Sequence, residues 1–112
     1  MTEFIKQQEG GRFICAVQGE MNIYSASEVR DELLQNLAAH AQVEVDLANV
    51  ADFDSSGVQI LLVLRREAQR TGKSLSFVHH SQAVRDVLDL LNLVGELGDP
   101  LIIPLDATGS GR

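Results

Sequence analysis

The sequence predicts an α/β domain, a mixed sheet of four to five strands with three to four helices packed on it. Three observations lead there. β-rich or alternating runs recur along the chain, segments with apolar residues at helical spacing stand between them, and each such segment opens at a serine. The first two strand candidates follow one another directly and the rest alternate with helices. That order, ββαβαβα(β), calls for one hairpin followed by crossover connections.

Residues 4–8 and 12–18 read as strands joined by Glu9-Gly10-Gly11, a glycine turn suited to a hairpin, with Gly19 closing the second strand. Ser25-Ala26-Ser27-Glu28 has capping-box spacing. Behind it Val29, Leu33, Leu34 and Leu37 share one helical face that ends near His40. Residues 43–47 (Val-Glu-Val-Asp-Leu) alternate with period two and form the third strand, and residues 49–55 read as a loop broken by Phe53. A second helix opens at Ser56, whose spacing to Gln59 is again that of a capping box; it runs to about Thr71, with Gly72 as its C-terminal cap. Residues 74–78 make a fourth strand. A third helix begins near Ser81, with Val84, Val87, Leu88 and Leu91 on one stripe and Gly95 at its end. Leu101-Ile102-Ile103 is a candidate short last strand. One domain over residues 1–103 and a loose tail over 104–112 are expected, because the tail has almost nothing to bury.

A chain of 112 residues has room for one hydrophobic core, and 45% apolar with 22% charged residues is ordinary for a folded protein, which excludes disorder for its bulk. Sixteen acidic residues against nine basic ones give a net charge of −7. Nucleic acid and anionic membrane surfaces repel a chain of that sign, and the one basic pair, Arg65-Arg66, is followed by Glu67. The only cysteine, Cys15, lies in the apolar run Phe13-Ile14-Cys15-Ala16-Val17 and reads as a small inert core residue. The first ten residues hold no apolar core of signal-peptide length, and apolar runs such as residues 60–64 are far shorter than a membrane span. No membrane insertion and a cytoplasmic location are the expectation.

The informative segment is Phe53-Asp54-Ser55-Ser56-Gly57-Val58. Small polar residues stand between a strand and a helix, and a glycine removes a side chain beside Ser56. Helix amides there favour an anion, so a phosphate on Ser56 would be tolerated while adding roughly −1.5 to −2 charges. Asp and Ser before a helix also serve simply as caps. The helix that follows is apolar on most sides from Val58 to Leu64, interrupted by Gln59. Either neighbouring elements cover it all round, or part of it is left for a partner.

Enzymatic readings find little support. Ser56 lacks the Gly-x-Ser-x-Gly elbow of α/β-hydrolases. His79 and His80 are adjacent at a strand end and so face opposite ways. With His40 they show no ligand spacing for a metal. No glycine-rich phosphate cradle of Walker type is present, and no cofactor is expected.

At these residues the chain resembles the STAS domain family, as found in bacterial anti-sigma-factor antagonists. The signature Asp-Ser-Ser-Gly stands at Asp54, Ser55, Ser56 and Gly57. Gly19-Glu20-Met21-Asn22 followed by Ser25-Ala26 resembles the family's Gly-Glu-Leu-Asp…Thr-Ala segment, with Asn22 in place of the acidic residue. The stretch from Ser81 to Leu97 looks like the family's closing helix. The resemblance implies a non-enzymatic binding module whose Ser56 (alternatively Ser55) is phosphorylated by a serine-kinase anti-sigma factor or related switch kinase and reset by a serine phosphatase. It further implies binding of that partner when unphosphorylated and release when phosphorylated. The partner surface it implies comprises Asn22, Tyr24, Ser25, Asp54, Ser55, Ser56, Gly57 and Val58. A non-switching accessory subunit of a lipid-transport ABC system, or a component of a chemosensory signalling cluster, is the alternative role within the family.

Overall fold

A computed structural model of the chain describes residues 1–93. Its elements are β1 (Glu3–Glu9), β2 (Arg12–Met21), α1 (Ala26–Ala39), β3 (Gln42–Phe53), α2 (Ser55–Thr71), β4 (Ser74–Val78) and α3 (Gln82–Leu90). The four strands form one sheet in the order β1-β2-β3-β4. β1 pairs antiparallel with β2 through the Gly10-Gly11 turn, whereas β2–β3 and β3–β4 are parallel. The mixed sheet expected from the element order is therefore present. The expected strand at 101–103 and the tail lie outside the described residues. The third helix ends at Leu90, short of the Gly95 expected, where the chain turns with Asn92 in the left-handed region (φ 59°).

Alternation decides which side of the sheet is covered. Cys15 and Val17 on β2 and Val43, Val45 and Leu47 on β3 are buried, while their neighbours Ile14, Ala16, Glu44 and Asp46 are half-buried on the other side. α1 and α2 lie side by side on the buried face. α1 supplies Val29, Leu33 and Leu37, and α2 supplies Val58, Leu61, Leu64 and Ala68, rows at three- and four-residue spacing. α2 ends at Gly72, whose φ of 72° is left-handed and whose amide bonds the Ala68 carbonyl, the expected glycine cap. α3 packs against β3 through Val84 and Leu88 and opens at Ser81, whose Oγ accepts from the Val84 amide at 3.2 Å.

Two strand boundaries differ from the sequence expectation, for one reason. β3 does not give way to a loop at Asn49; it continues to Phe53 and stays paired with β2, Gln18 opposite Asn49 and Met21 opposite Phe53. The register shifts between Ala16 and Gln18 and again between Gly19 and Glu20, each time with an extra residue on β3. Buried positions on β3 accordingly run 43, 45, 47, 50, 53, so the spacing of two that marks a strand is lost while the strand goes on. Gly19 likewise sits inside β2 and does not close it. Its φ of 103° makes the kink, and a Cβ there would run into the backbone carbonyl of Met1.

Cys15 is fully buried, and loss of hydration pushes its thiol pKa up to about 11 from 9.0, with Glu32 adding to the rise. The folded state thus disfavours thiolate relative to the unfolded chain. The sign follows: this contribution is complete below pH 9 and is lost as pH rises from 9 towards 11. Two units correspond to roughly 2–3 kcal/mol. Urea melts between pH 8 and 11 should show stability falling more steeply for the wild type than for Cys15→Ala; equal slopes would contradict the burial of this thiol.

Candidate functional site

β2 and β3 end side by side, Met21 opposite Phe53, so the connections leaving them are neighbours at the carboxyl edge of the sheet. One connection runs through Asn22, Ile23, Tyr24 and Ser25 into α1; the other is Asp54 alone, leading into α2. Carboxyl ends of parallel strands are where α/β sheets place their recognition residues, since the chain must turn there whatever the core demands.

Asp54 is extended (φ −133°, ψ −168°) and is the N-cap of α2, its Oδ1 accepting from the Ser56 amide at 2.8 Å. Its backbone carbonyl accepts from the amides of Gly57 and Val58 at 2.9 and 3.3 Å. Ser56 is therefore not the cap that its spacing to Gln59 suggests. It is the second residue of the helix, because a carboxylate two residues earlier already holds its amide. Ser56 is half-buried and Ser55, at the first helical position, is exposed.

Gly57 is buried under the β2–β3 edge. A Cβ at this position would overlap the Phe53 ring and stand 2.8 Å from the Met21 carbonyl oxygen. The glycine of the Asp-Ser-Ser-Gly signature is thus a packing requirement: it lets the first turn of α2 press against both strand ends.

Ser25 also departs from its expected role. Its backbone is helical (φ −106°, ψ 0°) and its hydroxyl makes no cap bond to α1. Instead Ser25 Oγ donates to the Glu20 carbonyl at 2.9 Å and accepts from the Asn22 amide at 3.1 Å. Asn22 makes the turn: its Oδ1 accepts from the amides of Tyr24 and Ser25 at 3.0 and 3.2 Å. Its Nδ2 donates to Asp52 Oδ2 at 2.6 Å. An amide can accept from two backbone N–H groups and donate to a carboxylate at once, which an ionised carboxylate at position 22 cannot do.

The two connections are tied together by Asp54 Oδ2, which accepts from the Ile23 amide at 3.1 Å. Beside that bond Ile23 and Tyr24 stand 67% and 92% exposed. The apolar surplus of α2, by contrast, is taken up inside: Val58, Ile60, Leu61 and Leu64 are buried and Leu62 and Val63 half-buried. The structure gathers Asn22, Tyr24, Ser25, Asp54, Ser55, Ser56, Gly57 and Val58 at one edge, with Asn22, Ser25, Gly57 and Val58 buried inside it and not on its surface. Ile23 and the hydrogen-bonded role of Asp52 were not singled out by sequence reasoning. Two large apolar residues directly after an asparagine turn were the available signal for the first.

His79 is exposed, with Nδ1 3.4 Å from Asp46 Oδ2, and His80 is buried, so the two do face opposite ways. Among the described residues no group of three or more His, Cys, Asp or Glu could hold a metal ion, and no helix is long and apolar enough to cross a membrane.

A family model described as "Mlab, STAS domain" matches residues 6–103. The chain belongs to the STAS domain family. Among solved structures it is similar to an anti-sigma factor antagonist from Mycobacterium paratuberculosis, with TM-score 0.78, 20% identity, and 96% of this chain and 93% of that one covered. It is also similar to the anti-sigma factor antagonist SpoIIAA in its unphosphorylated form (TM-score 0.68, 18% identity, covering 98% and 99%). The phosphorylated form of the Bacillus SpoIIAA gives 0.64 and 17%, covering 95% and 99%. At these identities the likeness is one of fold.

Two substitutions test the construction of this edge. Gly57→Ala gains up to about 1 kcal/mol of helix propensity but meets a backbone carbonyl that cannot rotate away, an overlap costing typically 1–3 kcal/mol. A lower melting temperature is expected, and a higher one would show that α2 does not press on the strand ends. Asn22→Asp sets a second carboxylate against Asp52 and should cost about 1–3 kcal/mol at neutral pH. Two carboxyls in contact raise the pKa of one, so the deficit should shrink as pH falls. Adding Asp52→Asn should restore stability, as read by urea melts of the single and double variants.

Proposed function

We propose that the chain is a phosphorylation-switched protein-binding module of the anti-sigma-factor-antagonist kind, without enzymatic activity of its own. The observation that carries this reading is the pairing, through one carboxylate, of a half-buried serine at the start of α2 with the exposed Ile23-Tyr24 turn. An edge with two exposed apolar residues, and a hydroxyl beside them that can be converted to a dianion, is suited to binding that must be reversible. The partner is a serine-kinase anti-sigma factor or related switch kinase, bound when Ser56 carries a hydroxyl and released when it carries phosphate. A serine phosphatase resets it. Phosphate adds roughly −1.5 to −2 charges to a chain already at −7, and desolvating such a group without a counter-charge costs several kcal/mol.

Ser56→Ala should bind the serine-kinase partner with or without ATP. Ser56→Asp should bind at least tenfold more weakly while melting within a few degrees of the wild type. Mass spectrometry after incubation with that kinase and ATP locates the modification. Phosphate confined to Ser55, or a Ser56→Asp variant that binds like the wild type, would overturn this reading.

One observation supports a second role. The family model that matches the chain is described by Mlab and not by an anti-sigma-factor antagonist, which favours the accessory-subunit alternative within the family. Co-purification with an ATP-hydrolysing transporter subunit, unaffected by Ser56→Asp, would select it.

A further inference from the structure

Both oxygens of the Asp54 carboxylate are engaged, and by different connections. Oδ1 takes the Ser56 amide at 2.8 Å and Oδ2 takes the Ile23 amide at 3.1 Å. Asp54 is partly screened from solvent and leads directly out of β3, so its backbone is fixed by the sheet while its side chain bridges α2 to the turn that carries Ile23 and Tyr24. From this geometry we propose that Asp54 is a positioning residue that makes the placement of the Ile23-Tyr24 turn depend on the charge carried by Ser56. This rests on the reading of Ser56 as the modified residue and adds the route by which its charge is felt.

Competition for a donor gives the route its physical basis. The helix amides that would welcome a phosphate on Ser56 are already occupied. Its own N–H is held by Asp54 Oδ1, and those of Gly57 and Val58 by the Asp54 carbonyl. A phosphate on the Ser56 side chain lies within reach of its own amide, and a dianion there is the stronger acceptor. It also stands within the roughly 4–6 Å over which like charges act on one another. Both effects move the Asp54 carboxylate away from the helix start, and a carboxylate that rotates out of the cap carries Oδ2 away from the Ile23 amide as well. The remaining holds on the turn are the Asn22 side chain, which bonds the Tyr24 and Ser25 amides, and the Ser25 hydroxyl on the Glu20 carbonyl, and they leave the Ile23 amide untouched. Ile23 is therefore the amide that loses its partner.

The complementary variant is Asp54→Asn. Asparagine caps helices as well as aspartate, but an amide has one acceptor oxygen where the carboxylate has two. Ser56 and Ile23 are held by different oxygens of Asp54, so in the same orientation asparagine sets its oxygen before one of these donors and its NH2 group before the other.

The test needs no partner protein. Phosphoserine is installed at position 56 by genetic code expansion, so the result is independent of whether any kinase modifies this chain. Amide exchange is then followed by NMR in the wild type, the phosphorylated chain and Asp54→Asn. Val45, in the middle of β3 and buried, serves as the reference for global opening. Tyr24 is the only tyrosine and there is no tryptophan, so fluorescence anisotropy excited at the tyrosine band reports on this turn alone. The expected result is at least tenfold faster exchange at Ile23 relative to Val45, with lower Tyr24 anisotropy, in both altered chains. Unchanged Ile23 exchange in Asp54→Asn would show that Asp54 does not hold the turn. Acceleration in Asp54→Asn but not with phosphoserine would show that charge at Ser56 is not transmitted. Either outcome overturns the proposal while leaving the binding role of the edge to its own test.

Discussion

The first turn of α2 touches the sheet without a side chain between them, and much else follows from that contact. Gly57 rests on the Phe53 ring and the Met21 carbonyl, which brings the helix start down onto the seam where β2 and β3 end together. Only because α2 begins so low does the Asp54 carboxylate reach both its own helix and the connection leaving β2. A larger residue at 57 would lift the helix, lengthen those bonds past hydrogen-bond range and separate the two connections that form the edge. The signature Asp-Ser-Ser-Gly is in this sense one mechanical unit: the glycine sets the approach, the aspartate fastens it, and the serines occupy the surface so created.

Around that unit, the polar groups of the two connections are satisfied both along the chain and across the strand seam. Asn22 answers to Asp52 across the strand seam, Ser25 to Glu20 at the end of β2, and Ile23 to Asp54. Buried or half-buried donors and acceptors at a turn carry a penalty when left unpaired, so each of these bonds constrains which residue types the others accept. Asparagine suits position 22 because Asp52 is there to receive its amide.

This pattern also explains what was legible in the sequence. Hydrophobic spacing located the three helices among the described residues and the first half of β3, since burial on one face is what dictates it: Val29, Leu33 and Leu37 in α1, Val43, Val45 and Leu47 in β3. β1, exposed along most of its length, was marked by the glycine turn that follows it. The signature located the site. The second half of β3 was hidden because two extra residues changed its period, and the roles of Ser25 and Ser56 were misassigned because capping-box spacing is a local rule. At both serines other nearby groups competed for the same hydrogen bonds, the Glu20 carbonyl and Asn22 amide at Ser25 and the Asp54 carboxylate at Ser56. Capping-box spacing does not tell which of several nearby groups takes a given hydrogen bond, and at this edge Glu20, Asn22 and Asp54 take them.

The parallel strands give the domain two unlike ends. Asp54 and Tyr24 sit where β2 and β3 finish, whereas the Gly10-Gly11 turn sits where β2 starts, with open space around both glycines. Nine residue steps along β2 separate Arg12 from Met21, about 30 Å at strand rise. Such a distance suits an attached dye, a surface tether or an inserted epitope: placed in the hairpin, it would let the far edge be watched, or pulled, without standing in front of it.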